Sequence, residues 1–348
     1  MTNLKRKTAW IVLLGLVAGC GPTVSAPTAN TGGSSPATSQ PVELLNVSYD
    51  PTRELWKQLN DKFAPVWKNK TGQDITIKMS HGGSGAQARS VIDGLEADVV
   101  TLALMTDTNA IQKAGLIADG WEEKLPNGSL PYSSTIVFVV RKGNPKGIKD
   151  WPDLVKEGVE IITPNPKTSG NGKLSFLSAW GSVVLRGGSV DDAKEFVTKL
   201  YNQVPVLDSG ARGATVTFAQ KQIGDVHLTW ENEAHLEVEE SKGELELVYP
   251  KISIRAEPRV AVVDANVDRK GTREAAQAYL EFLYTPEAQE IIAKNHYRPS
   301  SAEALQAHSG DFPSLELFSI KKLGASWDEA DVRFFGDGGT FDNIYENK

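Results

Sequence analysis

From Val42 onward, short runs rich in β-branched residues alternate with stretches of helical period, and no internal repeat relates one part of the chain to another. Strand, helix, strand is the building unit of α/β domains with a mostly parallel sheet. A length of 348 residues suffices for about two domains with buried cores. The expectation is therefore two α/β lobes, each a mostly parallel sheet with flanking helices. Candidate strands lie at 44–48, 75–79, 98–102, 136–140, 160–163, 226–230, 245–249 and 260–263. The clearest helix opens at Asp50-Pro51, an N-cap residue followed by a proline suited to the first helical position, and then places Leu55, Leu59 and Phe63 on one face. Near the C-terminus, 275–284 carries Leu280 and Leu283 on one side, and Thr285-Pro286-Glu287 opens a second helix containing Ile291 and Ile292.

The N-terminus has a different character. Lys5, Arg6 and Lys7 precede an apolar run from Ala9 to Ala18, the length of a signal-peptide core and too short to span a bilayer. The run ends in Leu16-Val17-Ala18-Gly19-Cys20, which resembles the lipobox where a bacterial signal peptidase cuts and the cysteine is lipidated. The alternative is an ordinary cleaved signal with an incidental cysteine. Cys20 is the only cysteine, so an intramolecular disulfide, a thiolate metal cluster and a catalytic thiol are all excluded. Residues 22–41 are almost entirely Pro, Thr, Ser, Ala, Gly and Asn, a composition that cannot bury a core. As a flexible tether this segment would reach about 25 Å. The expected layout is a signal peptide over 1–19 and a lipid-anchored tether over 20–41, with the body outside the cytoplasmic membrane or in the periplasm.

Loss of the exported segment removes three basic residues and no acidic ones, leaving 34 − 44 = −10 from a chain with 37 Lys and Arg and 44 Asp and Glu. Such a charge argues against nucleic acid or an anionic membrane surface as partner. Any anion the protein holds must be held by local dipoles.

Three strand-to-helix junctions are made of Ser, Gly and other small residues. They are the stretch from Ser80 to Ala86 (Ser-His-Gly-Gly-Ser-Gly-Ala), that from Thr168 to Lys173 (Thr-Ser-Gly-Asn-Gly-Lys), and that from Asp208 to Ala214 (Asp-Ser-Gly-Ala-Arg-Gly-Ala). Each offers free backbone N–H groups at a helix start with no bulk in the way, and the helix dipole adds partial positive charge. Helix starts of this kind bind anions, although a single one is often a plain tight turn. A Walker A loop is excluded, because Lys167 stands where its first glycine belongs and Leu174 where its hydroxyl belongs. A dinucleotide fingerprint is excluded as well, since the first strand-to-helix turn reads Ser48-Tyr49-Asp50-Pro51. The enzyme alternative is a serine hydrolase, with Ser84 in Gly82-Gly83-Ser84-Gly85-Ala86 approaching a nucleophile elbow and His227 or His235 with an acidic partner as base. Against it, Ala86 stands where a glycine is usual and His227 alternates with Val226 and Leu228 as a strand residue does. The five histidines show no paired metal spacing, so no metal and no cofactor is expected.

Several strings in order along the chain resemble the sulfate-binding proteins of bacterial ABC importers. They are 45–55 (Leu-Asn-Val-Ser-Tyr-Asp-Pro-Thr-Arg-Glu-Leu), 80–85, 96–104, 163–170, 206–213, 230–234 (Trp-Glu-Asn-Glu-Ala), Tyr297-Arg298-Pro299 and 338–342. The resemblance implies a two-lobed periplasmic binding protein fold of type II, with 42–123 and 257–348 forming lobe 1, 124–256 forming lobe 2 and the ligand in the cleft. It implies ligand contacts from the backbone N–H groups of Asp50, Ser84, Gly170, Asn171 and Ala211, from the Ser169 hydroxyl and from the Trp230 indole. Taken from its sequence context alone, Trp230 reads as a core residue at a strand end. His81 and Arg212 are implied as supports of the binding loops, not as contacts. Asn171 departs from the glycine familiar at its position, which questions the backbone conformation there. The implied partners are sulfate, the permease and ATPase subunits of an importer, and a membrane reached only through the lipid anchor. The protein is expected to be a monomer that catalyses nothing, and thiosulfate or molybdate remains an alternative ligand.

Sulfate near neutral pH is a dianion without a proton, so a shell made only of donors suits it. Seven such bonds at about 1.5 to 3 kcal/mol each amount to roughly 10 to 20 kcal/mol gross, against about 8 for micromolar binding. Phosphate retains a proton that would face an N–H group, and an unpaired buried donor is costly. The one carboxylate in the implied shell, Asp50, is expected to cap its own helix and to point away from the anion.

Overall fold

The computed structural model describes residues 40–345. The signal-like segment, Cys20 and nearly all of the tether lie outside the described residues.

The first lobe is built on four strands. They are β1 (Val42–Tyr49), β2 (Ile75–Gly82), β3 (Val99–Thr101) and β9 (Val260–Val262), in the spatial order β2-β1-β3-β9. β1 runs parallel to β2 and β3, while β9 returns antiparallel to β3. The helix Arg53–Thr71 turns Leu55, Trp56, Leu59, Phe63 and Trp67 inward, a 3.6-residue stripe that meets Tyr279, Leu280 and Ile292 from the helices Arg273–Phe282 and Pro286–Lys294. Thr285 caps the latter by accepting from the Ala288 N–H, as its Thr-Pro-Glu opening predicts.

The second lobe contains β4 (Tyr132–Arg141), β5 (Ile161–Ile162), β6 (Val226–Trp230), β7 (Leu245–Val248), β8 (Ile252–Ala256), β10 (Arg298–Pro299) and β11 (Glu316–Phe318). The main path is β11-β8-β4-β6-β5, with β7 and β10 also paired to β4. The expectation of a mostly parallel sheet fails here, because β4 is antiparallel to β6, β7, β8 and β10. For β8 the cause is the connection between lobes. The chain enters the second lobe along β4 and leaves along β8, and the two pair in opposite directions at Ser134 with Ala256 and Thr135 with Arg255.

A second correction concerns the C-terminal residues, which were expected to complete lobe 1. β11 lies parallel beside β8, and Phe318, Phe334, Phe335, Phe341 and Ile344 join the core of the second lobe around Phe176 and Trp180. Phe176 and Trp180 belong to the helix Gly170–Val184, which is buried on nearly every side. A helix buried all round needs cover on its outer face as well as against the sheet. Residues 316–345 supply that cover, each full burial of a Phe being worth about 1.5 to 3 kcal/mol.

Candidate functional site

Four helix starts, two from each lobe, surround a small cavity of about 10 Å³ in the cleft. They are the turn Asp50–Thr52 leading into Arg53–Thr71, and the helices Ser84–Ile92, Gly170–Val184 and Ala211–Thr215. Their first residues Asp50, Ser84, Gly170 and Ala211, with Asn171 next after Gly170, line the cavity together with Ser169 and Trp230. The first N–H groups of a helix have no acceptor within it, and all four dipoles present their positive ends to one point. The small residues read in the sequence as helix openers thus occur where backbone must approach backbone. A side-chain carbon on Gly83 would lie 2.6 Å from the Thr168 carbonyl oxygen, and one on Gly170 2.6 Å from Ala103 Cβ. Both contacts cross the cleft, so the lobes are closed on each other.

Ser169 is the N-cap of its helix, its Oγ accepting from the Gly172 N–H at 3.4 Å, which leaves the hydroxyl proton to donate elsewhere. Trp230 ends β6, is fully buried and packs against Tyr49 of the other lobe. Its indole N–H is buried without an acceptor in the protein. A buried, unpaired donor of this kind costs about 1 to 3 kcal/mol, so its presence in the wall of the cavity points to a ligand that accepts.

Asn171 causes no strain. It lies in the first turn of its helix and is not among the residues of positive φ. Its side chain turns away, Nδ2 donating to the Leu228 carbonyl at 3.3 Å and Oδ1 accepting from Ser175 at 3.2 Å. Glycine is demanded one position later, where a Cβ on Gly172 would sit 2.5 Å from the Pro164 oxygen.

Asp50 departs from expectation in one respect. The N-cap is Tyr49, with no side-chain cap, and Asp50 is the first residue of the turn. The reason is a stronger partner, for the Asp50 carboxylate pairs with the Arg53 guanidinium at 2.8 Å. Behind the turn, the Thr52 hydroxyl donates to the Tyr49 carbonyl at 2.7 Å, while Asn232 at 3.2 Å and the Tyr297 hydroxyl at 2.8 Å donate to the Pro51 carbonyl. His81 stands beside it, Nδ1 at 3.4 Å from the Tyr49 oxygen, its pKa lowered by burial and by the Arg53 charge.

Arg212 points out of the cavity. Its guanidinium lies 3.1 Å from Glu54 of the first lobe and 3.5 Å from the buried Glu233 of the second, so it bridges the lobes beside the site. Burial pushes the Glu233 carboxyl up to about 8, against the pull of Arg212.

The geometry opposes the hydrolase reading. The Ser84 hydroxyl donates to Asp107 Oδ2 at 2.5 Å and accepts from the Ala103 N–H at 3.0 Å, while Asp107 is buried and its pKa raised by that burial. His227 is engaged by Glu237 at 2.8 Å and His235 by the Tyr249 hydroxyl at 3.0 Å. Among the described residues no histidine hydrogen-bonds Ser84, and no group of three His, Cys, Asp or Glu could hold a metal ion. Sequence reasoning missed Tyr49, Ala103 and Asp107. Tyr49 ends β1 and Ala103 lies two residues past β3, both within strings already singled out, whereas nothing local to Asp107 reveals that it meets Ser84.

Two lobes closing over a small cavity walled by helix starts define a receptor for a small solute, with the ligand enclosed between domains. The chain matches the family model of bacterial extracellular solute-binding proteins over residues 54–298 and belongs to that family. It is 55% identical over 306 residues to the sulfate-binding protein of Escherichia coli K12, covering 87% of this chain and 93% of that protein. It is 52% identical over 316 residues to the thiosulfate-binding protein of Pseudomonas aeruginosa, covering 90% and 94% respectively. Among solved structures it resembles the sulfate-binding protein SubI of Mycobacterium tuberculosis H37Rv, with a TM-score of 0.76, 31% identity and coverage of 84% of this chain and 99% of that one. Among the described residues no helix is long and apolar enough to cross a membrane.

Proposed function

We propose that this chain is the sulfate receptor of an ABC importer and that it catalyses nothing. The observation carrying this reading is the buried indole N–H of Trp230, left without an acceptor in a cavity whose other walls are helix starts. The donors are the backbone N–H groups of Asp50, Ser84, Gly170, Asn171 and Ala211, the Ser169 hydroxyl and the Trp230 indole. Every one donates, and the Asp50 carboxylate is occupied by Arg53. A fully ionised oxyanion accepts from all of them, whereas a protonated phosphate would bring a donor to a site without an acceptor. Among the described residues no Lys, Arg or His lines the cavity, so oriented dipoles would balance the charge of a bound anion.

His81 and Arg212 act from behind, His81 on the Tyr49 carbonyl and Arg212 on the pairing of the two lobes. Closure over the anion would be released when the permease separates the lobes, a hinge motion known for such receptors. Cys20 would carry the lipid anchor and residues 22–41 the tether, keeping a monomeric body at the outer face of the membrane.

Calorimetric titration of the mature chain, stripped of anion, tests the reading. Tight one-to-one binding of sulfate that phosphate does not displace is the expected result, and a folded protein that takes no sulfate would refute it. Thiosulfate is the second reading, favoured by the similarity to the Pseudomonas aeruginosa thiosulfate-binding protein. Competition between the two anions, with molybdate alongside, ranks them. Mass spectrometry of membrane-extracted protein, with Cys20→Ser as control, tests the anchor.

A further inference from the structure

The segment that completes the second lobe also reaches the first. The helix Trp327–Ala330 continues directly into the turn 331–335, which places Asp328 and Asp331 three residues apart on one face. Asp331 pairs with Lys173, in the first turn of the helix that opens with Gly170 and Asn171. Asp328 faces the opposite lobe. There, Lys113 approaches it at 2.6 Å and Asn109 donates to it at 3.4 Å, and Thr106 also donates toward this carboxylate. Thr106, Asn109 and Lys113 follow one another at helical spacing along a single face of the helix Met105–Lys113. The same helix carries Asp107, which holds the Ser84 hydroxyl.

A cation in the first turn of a helix opposes the dipole, so Lys173 needs a carboxylate for reasons of its own helix. The particular carboxylate it has is joined by one helical turn to the one that grips the other lobe. We propose that Asp328 and Asp331 form a cross-lobe clasp, which couples the anion-holding starts at Ser84 and Gly170 and sets how long the closed receptor retains its ligand. This rests on the sulfate reading above. Asp328 and Lys113 touch no ligand; they are positioning residues. When the lobes part, the Asp331–Lys173 pair stays within the second lobe while the contacts of Asp328 are lost. The clasp therefore acts on release and leaves capture by the open form unchanged.

The test is stopped-flow measurement of sulfate association and dissociation on the whole mature chain, for Asp328→Ala, Lys113→Met and the double variant. A pair this exposed is worth up to about 1 kcal/mol, so each single variant is expected to release sulfate roughly two- to fivefold faster, at an unchanged association rate. The double variant should be no faster than Asp328→Ala, the charge swap Lys113→Asp with Asp328→Lys should restore slow release, and the difference from wild type should fade at high salt. Thermal midpoints without anion should stay at the wild-type value, since the open form lacks the contact. Wild-type dissociation rates in both single variants would overturn the proposal, and so would additive effects in the double variant. Absence of sulfate binding by the wild-type chain would instead refute the function on which the clasp rests, so the two failures are distinguishable.

Discussion

Tyr49 of the first lobe and Trp230 of the second pack across the cleft with ring centroids 5.1 Å apart and planes tilted by 40°. The contact serves closure, and the indole N–H is left over for a ligand. Trp230→Phe retains a ring for Tyr49 and removes the donor. Loss of one hydrogen bond to a charged acceptor is worth about 1.5 to 3 kcal/mol, so sulfate affinity measured by calorimetry should fall roughly 10- to 150-fold.

The two serines of the site separate by their hydroxyls. Ser169→Ala should weaken sulfate binding to a similar degree and also lose about 0.5 to 2 kcal/mol of stability with the helix cap. Ser84→Ala keeps its backbone donor but strands the buried Asp107 carboxylate and the Ala103 N–H. Chemical denaturation of the anion-free protein should show a loss of about 1 to 3 kcal/mol, with sulfate affinity much less affected than in Ser169→Ala.

Gly83 tests closure. Its backbone, at φ −60 and ψ 132, is open to any residue, yet a Cβ would sit 2.6 Å from the Thr168 oxygen of the other lobe. Gly83→Ala should therefore fold normally and bind more weakly, by about 1 to 3 kcal/mol if the clash behaves as core overpacking does. Small-angle scattering should show less compaction on adding sulfate than the wild-type protein shows.

Acid sensitivity is expected from a pair of histidines. His235 and His296 are stacked, with centroids 4.0 Å apart, and His235 is pulled down to about 4 by burial and then by its neighbour, while burial also lowers His296. The unfolded chain binds protons at these rings from about pH 6.5 downward, so the folded state binds fewer protons between pH 6.5 and about 4. Stability should consequently fall as the pH drops through that window. Thermal melts across it should show a shallower slope for His235→Gln than for wild type; an identical slope would discard the pair as the source.

Helix starts are written locally. Asp50-Pro51, the glycine before Ser84, Ser169 with its following glycine, and Gly210 before Ala211 were all legible, because a helix opens where side-chain size and backbone dihedrals allow, within about four residues. Strands such as Val226–Trp230 were legible by the same local logic. The resemblance carried the reading further, to which N–H groups of those starts face a ligand.

What the sequence could not contain is where the starts meet. Asp50 and Ala211 share one cavity only because two sheets close on each other, and that closure depends on burial summed over residues far apart in the chain. The antiparallel course of β4, the placing of 316–345 on the second lobe, the turn of the Asn171 side chain away from the cavity and the hold of Asp107 on Ser84 were decided in the same way. Local propensity is a property of a few neighbouring residues; which surfaces are covered, and by what, is settled only by the competition of the whole chain for its core.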